Sequence, residues 1–262
     1  MAILNATPDS FSDGGRLYQD GRVNFDRVLH TVEAMVKQGA AIIDVGGEST
    51  RPGAEAVTVD EELARVVPVV EAIAQRFDAV ISLDTSQPQV IAEGASAGAG
   101  LINDVRALQL EGALAAAAKV GLPVCLMHMK GDPATMQHNP HYERCVDEVF
   151  DFLRLRVNAC AEVGIPAEQL LVDPGIGFGK RDEHNLALIK ALPRFKTLGA
   201  GVLFGASRKS MIGRLLGREL PERLAGSLGF AYAALLGGAK ILRVHDVAET
   251  VDIINVFELT RP

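Results

Sequence analysis

The chain has 262 residues, of which 48% are hydrophobic and 23% charged, so it is long enough to bury one large core. Its net charge of −7 argues against binding to DNA or RNA phosphates, and no apolar run is long enough to span a bilayer, so neither a nucleic-acid nor a membrane partner is expected. The three cysteines are odd in number and form no C-x-x-C pair, which argues against a disulfide framework or a zinc knuckle and favours a cytoplasmic location.

Short apolar runs bounded by Gly, Pro, Asp or Asn recur along the chain and predict buried strands. These runs lie at residues 1–4, 41–45, 80–83, 101–102, 124–127, 170–172, 202–204 and 241–244. Segments with helical hydrophobic periodicity lie at residues 24–38, 59–76, 88–97, 112–119, 142–163, 184–192, 222–236 and 247–259. This alternation has no linker or shift in composition. It predicts an α/β fold, a (β/α)8 TIM barrel in which residues 1–262 form a single domain.

An open, doubly wound sheet is the alternative with the same alternation. It usually has about five or six strands and carries a Gly-rich fingerprint after the first one. Here the first strand is followed by Asn5, Ala6, Thr7, Pro8 and Asp9. We therefore favour the barrel.

Polar residues stand at the carboxyl ends of the predicted strands, where barrels carry their active sites. They are Asn5, Asp44, Asp84, Asn103 and Asp173 at five strand ends, and Ser207, Arg208, Lys209, Arg243 and His245 around the last two. Any single Asp, Asn or Ser could instead cap a helix. Lysine, arginine and histidine are not capping residues, and the convergence of so many groups predicts one binding site.

The polar groups predict two halves of that site. The cations follow the seventh and eighth strands, where barrels commonly hold phosphate, and they predict an anionic ligand. Asp84, Asn103 and Asp173 supply acceptors that suit a flat heterocycle with amino and imino donors. Asn5 could hold Mg²⁺ on a diphosphate, because Mg²⁺ keeps most of its waters and takes few protein ligands.

A Gly-rich segment at residues 175–180 superficially resembles a nucleotide-binding loop. Lys180 stands where a dinucleotide fingerprint needs Gly, and Pro174 stands where a P-loop needs Gly. We therefore predict a turn. Two other Gly-rich segments, residues 13–15 and 46–53, lie in long loops and are candidate lids.

These residues belong to motifs that extend over nearly the whole chain. The long motifs are TPDSFSDGG at residues 7–15 and IDVGGESTRPG at residues 43–53, and the shorter ones are ILN at 3–5, DTS at 84–86, IND at 102–104, MHM at 127–129, DPGIGFGK at 173–180, SRKS at 207–210 and RVHD at 243–246. In them the chain resembles the bacterial dihydropteroate synthases, a pterin-binding TIM-barrel family. It differs in beginning on its first strand, whereas members usually carry a preceding segment, so we expect the lower end of the barrel to be less covered.

The resemblance implies a transferase of folate biosynthesis. Such an enzyme condenses 6-hydroxymethyl-7,8-dihydropterin diphosphate with para-aminobenzoate to give 7,8-dihydropteroate and diphosphate. Mg²⁺ is the implied cofactor, and sulfonamides would compete for the aminobenzoate site. The resemblance also implies a homodimer.

The resemblance further implies a role for each matching residue. The implied pterin contacts are Asp84, Asn103, Asp173 and Lys209, with Arg243 over the ring; the implied diphosphate contacts are Arg243, His245, Thr50 and Arg51; and the implied aminobenzoate pocket is Pro52, Phe178 and Ser207. Asn5 is the implied Mg²⁺ ligand. Lys209, Arg243 and Asp84 are the implied catalytic residues.

The sequence contains no recognisable pair of nucleophile and base, which suits a reaction in which C–O cleavage runs ahead of attack by the arylamine. Three alternatives stay open. A pterin-binding methyltransferase of the corrinoid-dependent type would not need residues 50–52 or 207–209. A Schiff-base aldolase using Lys209 would be trapped by borohydride, and a non-catalytic family member should have eroded site residues, which are intact here.

Overall fold

An eight-stranded parallel sheet organises the computed structural model, which describes residues 1–7, 18–19, 22–49, 57–133 and 135–261. The strands pair in the order in which they follow one another along the chain. They are β1 Ala2–Asn5, β4 Ile42–Gly46, β5 Val80–Asp84, β6 Leu101–Asp104, β7 Val124–Met127, β8 Leu170–Asp173, β9 Gly201–Phe204 and β10 Ala239–Leu242. The two-residue strands β2 Tyr18–Gln19 and β3 Arg22–Val23 form a separate antiparallel pair.

Helices connect the strands of the sheet, because parallel strands need a crossover connection. In the described residues the α-helices are α1 Phe25–Lys37, α2 Val59–Ala74, α3 Pro88–Ser96, α4 Ala113–Val120, α5 Cys145–Glu162, α6 Asp182–Lys190, α7 Leu192–Phe195, α8 Ser210–Leu216, α9 Leu224–Leu236 and α10 Val247–Thr260. Thr58 and Glu61 start α2 with a reciprocal capping box. Of the helices that the structure describes, none combines the length and apolar composition needed to cross a membrane.

The sheet is curled, so that its first strand lies beside the residues that follow its last strand. The amide of Ile3 donates to the carbonyl of Val244 at 3.1 Å, and the amide of Val244 donates to the carbonyl of Met1 at 3.0 Å. Ala2 forms a parallel bridge with Val244. The curl brings the carboxyl ends of β1 and β10 to the same edge, where the polar residues lie.

The predicted alternation of strands and helices is confirmed, and strands form at all eight predicted places. Several strands extend past the last apolar residue, because backbone pairing continues to polar residues such as Asp84. The last strand is Ala239–Leu242 rather than residues 241–244. The prediction missed α8, which has only seven residues and begins in a polar run that carries no helical periodicity.

Candidate functional site

An open cavity of about 1040 Å³ lies at the carboxyl ends of the strands. Nine predicted site residues line it, and they are Asn5, Asp84, Asn103, Asp173, Phe178, Ser207, Lys209, Arg243 and His245. The other three, Thr50, Arg51 and Pro52, lie outside the described residues. The fold therefore brings together all the predicted site residues that the structure describes.

Arg243, the first residue after β10, lies between two carboxylates. Its Nε donates to Asp44 Oδ2 at 2.6 Å, and its Nη2 donates to Asp84 Oδ2 at 2.6 Å. The side-chain amide of Asn103 also donates to Asp44, at 3.2 Å to Oδ2. Asp44 is fully buried, so these donors replace the hydrogen bonds that its carboxylate would make with water.

Burial controls the protonation of this cluster. It raises the pKa of Asp84 to about 7, against the opposing effect of the positive Arg243, and the nearby carboxylate of Asp44 adds to the rise. Burial on its own would lower the pKa of Arg243, but Asp44 and Asp84 together raise it above its usual value. The cluster therefore combines a permanent cation with a carboxyl group that titrates near neutral pH.

Asp173 and Lys209 form a second pair of charged groups. Burial raises the pKa of Asp173 and lowers that of Lys209 to about 8, and each charge opposes the shift of the other. Asp173 Oδ1 accepts from the amide of Gly175 at 2.7 Å. Lys209 Nζ donates to the carbonyl of Ile176 and lies 4.5 Å from the ring centroid of Phe178. One wall of the cavity thus offers an acceptor, a donor and an aromatic face.

Ser207 and His245 contact each other at the cavity edge. Ser207 Oγ lies 3.0 Å from His245 Nδ1 and accepts from the His245 amide at 3.2 Å. The sequence-based prediction recognised no such serine and histidine pair, because the residues are 38 positions apart and meet only in the fold. The contact fixes the orientation of the imidazole.

Arg208 has a left-handed backbone with a φ of 57°. Its Nε donates to Asp246 Oδ2 at 2.9 Å, and its amide donates to Ser227 Oγ at 2.9 Å. Its neighbours Ser207 and Lys209 both line the cavity. We infer that these contacts stabilise the unusual backbone that presents both neighbours to the site.

Asn5 ends β1 and lines the cavity with a half-buried side chain that makes no hydrogen bond to another described residue. Among the described residues, no group of three or more His, Cys, Asp or Glu side chains is arranged to hold a metal ion. A single amide oxygen does not fit a transition metal, which needs several protein ligands. It does fit Mg²⁺ that keeps its waters and binds mainly to the oxygens of a ligand.

Residues 175–180 form a turn packed against the segment that follows β7. Gly175 and Gly179 have φ values of 69° and 65°. A Cβ on Gly175 would lie 1.9 Å from the carbonyl oxygen of His128, and one on Gly179 would lie 2.4 Å from that of Lys130. Glycine is needed here for close contact with a neighbouring backbone rather than for binding phosphate.

Two of the buried charged residues that were not predicted to have a role, Asp44 and Lys180, lie at the site. Asp44 was predicted only to end its strand, but it lies inside β4, where it pairs with Ser82 of β5, two residues before Asp84. Lys180 was recognised only as a mismatch to nucleotide motifs, and it proves to be almost fully buried in the lining of the cavity. No local signal marks Lys180, because its burial depends on how its loop packs.

Comparisons with known proteins agree over nearly the whole chain. A family model described as pterin binding enzyme matches residues 1–245. The dihydropteroate synthase of Escherichia coli is 54% identical over 260 residues, which are 99% of this chain and 90% of that protein. The Yersinia pestis dihydropteroate synthase in a sulfonamide drug complex superposes with a TM-score of 0.94 at 51% identity, covering 99% of this chain and 93% of that one. The Xanthomonas albilineans dihydropteroate synthase with 4-aminobenzoic acid gives a TM-score of 0.90 at 46% identity, covering 99% and 92%.

Proposed function

Because the chain belongs to the pterin-binding enzyme family, we propose that it condenses 6-hydroxymethyl-7,8-dihydropterin diphosphate with para-aminobenzoate. The products are 7,8-dihydropteroate and diphosphate, and the protein acts as a transferase in folate biosynthesis. One observation carries the proposal. A single cavity holds the acceptors Asp84, Asn103 and Asp173 beside the cations Lys209 and Arg243.

The acceptor side of the cavity suits the pterin ring. Asp173 and Asp84 accept hydrogen bonds from the amino and imino groups of the ring, and the amide of Asn103 can both donate and accept. Lys209 donates to the ring acceptors. The planar guanidinium of Arg243 covers the face of the ring, which is a geometry that arginine favours.

The reaction breaks the bond between the pterin methylene carbon and a diphosphate oxygen, and it forms a bond from that carbon to the nitrogen of the arylamine. As the C–O bond breaks, positive charge develops on the pterin, where the carboxylates of Asp84 and Asp173 stabilise it. Arg243 and His245 bind the departing diphosphate. The arylamine then attacks the methylene carbon and loses a proton.

The aminobenzoate lies against Phe178 and Ser207, next to the pterin. We propose that Thr50 and Arg51 contact the diphosphate and that Pro52 contacts the aminobenzoate, on the basis of the motif that contains them. We propose that their loop keeps water away from the activated methylene carbon.

Asn5 is the residue that we propose to hold Mg²⁺. The residue lines the cavity from the end of β1, and its side-chain amide supplies one oxygen that could bind the ion. When bound there, Mg²⁺ would supply positive charge for the oxygens of the departing diphosphate.

An assay of diphosphate release tests the proposal. We expect the purified protein to release diphosphate only when the dihydropterin diphosphate, para-aminobenzoate and Mg²⁺ are all present, and we expect a sulfonamide to compete with para-aminobenzoate. Binding of a pterin with methyl transfer to a corrinoid, and without diphosphate release, would contradict it.

We also propose that the curled sheet closes into a TIM barrel and that residues 1–262 form one domain. The hydrogen bonds of Val244 with Ile3 and Met1 support closure, and one sheet that contains strands from Ala2 to Leu242 supports a single domain. We propose a homodimer formed through outer helices near the end of the chain, where the exposed side chains of Leu236 and Leu259 lie. The free cysteines suit a cytoplasmic enzyme.

A further inference from the structure

The carbonyl oxygens of four consecutive residues, 176–179, each accept a hydrogen bond from a different side chain. Lys209 donates to the carbonyl of Ile176, and Gln137 donates to that of Gly177. Lys180 donates to the carbonyl of Phe178, and Tyr142 donates to that of Gly179. Loop carbonyls usually point to water, so a full set of protein donors indicates that the conformation of this loop is tightly defined. This set of contacts surrounds Phe178, which lines the proposed aminobenzoate pocket.

Lys180 is the charged donor that lies inside the loop. It is 1% exposed, and its Nζ lies 2.9 Å from the carbonyl oxygen of Phe178, 3.2 Å from the carbonyl oxygen of His128 and 2.9 Å from His128 Nδ1. An ammonium group has three N–H donors, and here it meets three acceptors. Burial lowers the pKa of Lys180 to about 7, while the charges of Cys145 and Asp173 act in the opposite direction.

The contact with His128 links the loop to the end of β7. Burial lowers the pKa of His128 to about 2, so the imidazole is neutral and its Nδ1 can accept from Lys180. The ring of His128 packs edge-on against Phe152, with 4.9 Å between the ring centroids. Lys180 therefore connects the backbone of Phe178 to a group that is itself fixed by packing against α5.

We propose that Lys180 is a positioning residue that sets the affinity for the aminobenzoate substrate. By holding the carbonyl of Phe178, it fixes the backbone from which the Phe178 ring projects beside Lys209, 4.5 Å from its Nζ. The inference deepens the proposed function and rests on it. It also gives a purpose to the lysine that ends the Gly-rich segment.

Fold stability alone does not account for a lysine at this place. A buried cation loses its hydration, and this cost offsets part of what its hydrogen bonds contribute to stability. A positioning role therefore predicts a separation of effects. Loss of the ammonium group leaves buried acceptors without a donor and should lower the melting temperature, but it should weaken the binding of only one of the two substrates.

The test is steady-state kinetics of Lys180→Met, with both substrates varied, together with the melting temperature. Removing a charge-assisted hydrogen bond is expected to raise the KM for para-aminobenzoate about tenfold. The kcat and the KM for the dihydropterin diphosphate should stay within about threefold of the unsubstituted protein. Lys180→Gln keeps an N–H donor, so it should show a smaller rise, and it serves as the test variant if Lys180→Met does not fold.

Lys190→Met is the matched control, since Lys190 is exposed at the end of α6, and it should leave all constants unchanged. A KM for para-aminobenzoate within about twofold of the unsubstituted protein in Lys180→Met would overturn the inference, and so would equal losses for both substrates. An unsubstituted protein that releases no diphosphate would overturn the proposed function and this inference together. If the unsubstituted protein is active and Lys180→Met has the same KM for para-aminobenzoate, only the inference is overturned.

Discussion

Arg243 and Asp84 form an ion pair of 2.6 Å at the mouth of the cavity, although they are 159 residues apart in the chain. A second N–H group of the same guanidinium donates to Asp44 at 2.6 Å. A planar guanidinium can bind two carboxylates in fixed directions, whereas an ammonium group acts as a single point charge. Arginine at this position therefore holds acidic residues of two neighbouring strands together while it remains available to substrate.

Arg243→Lys should lower both activity and stability. We expect kcat/KM to fall roughly 100-fold, the effect of losing one preorganised donor to developing negative charge. The free energy of unfolding should fall by about 3 kcal/mol, the lower end of the range for a broken buried pair, because the Arg243 side chain is 22% exposed. Steady-state kinetics and urea unfolding measure the two effects. Arg154→Lys, at an exposed ion pair with Asp151, should change neither quantity. A loss of stability with unchanged kinetics would leave Arg243 a structural role only.

Binding of the pterin substrate should be strongest between pH 7 and 8. The pKa of Asp84 is raised to about 7, so its carboxylate is available to accept hydrogen bonds only above that pH. The pKa of Lys209 is lowered to about 8, so its positive charge is lost above that pH. Asp173, whose pKa is also raised by burial, adds to the acidic limb.

Calorimetric titration with the dihydropterin diphosphate across this range measures the profile. Asp84→Asn should flatten the acidic limb, and Lys209→Met should flatten the alkaline limb. An acidic limb that persists unchanged in Asp84→Asn would assign it to another group.

Asn5→Ala should weaken the response to Mg²⁺. We expect the Mg²⁺ concentration that gives half-maximal activity to rise at least tenfold, on the order of the losses seen when metal sites are perturbed. Asn158→Ala, on the exposed surface of α5, is the control and should match the unsubstituted protein. If Asn5→Ala kept kcat/KM within about threefold at limiting Mg²⁺, a difference of less than about 1 kcal/mol, Asn5 would not be a ligand.

Gly175→Ala should destabilise the protein more than Gly164→Ala does. Both glycines have positive φ, at 69° and 89°, so both substitutions carry the backbone cost of about 1–2 kcal/mol. Only at Gly175 would the new Cβ meet a backbone oxygen, at 1.9 Å, whereas at Gly164 nothing lies within 4 Å. We expect a total loss of roughly 3 kcal/mol or more for Gly175→Ala. Urea unfolding measures the free energy of unfolding of both variants, and the difference between them gives the steric cost at Gly175. Equal losses of free energy would mean that the loop can move away from His128.

The order of the strands and helices, and the edge of the sheet at which the site forms, follow from local features of the sequence. The apolar period that marks a strand is local, and the polar residue that ends it, such as Asp84 or Asn103, follows directly in the chain. Because parallel strands point the same way, their carboxyl ends meet at one edge of the sheet. The convergence of Asn5, Asp173 and Lys209 could therefore be predicted without coordinates.

Which of these groups contact one another depends on the assembled fold. The choice of Asp44 and Asp84 as partners of Arg243 depends on the strand register and on the curl that brings β10 beside β1. The burial of Lys180 depends on a loop packing against a distant strand end. These contacts join residues far apart in the chain, so no local periodicity encodes them. Burial also sets the protonation of the site, because it is loss of hydration in the assembled fold that moves the pKa of Asp84 towards neutrality.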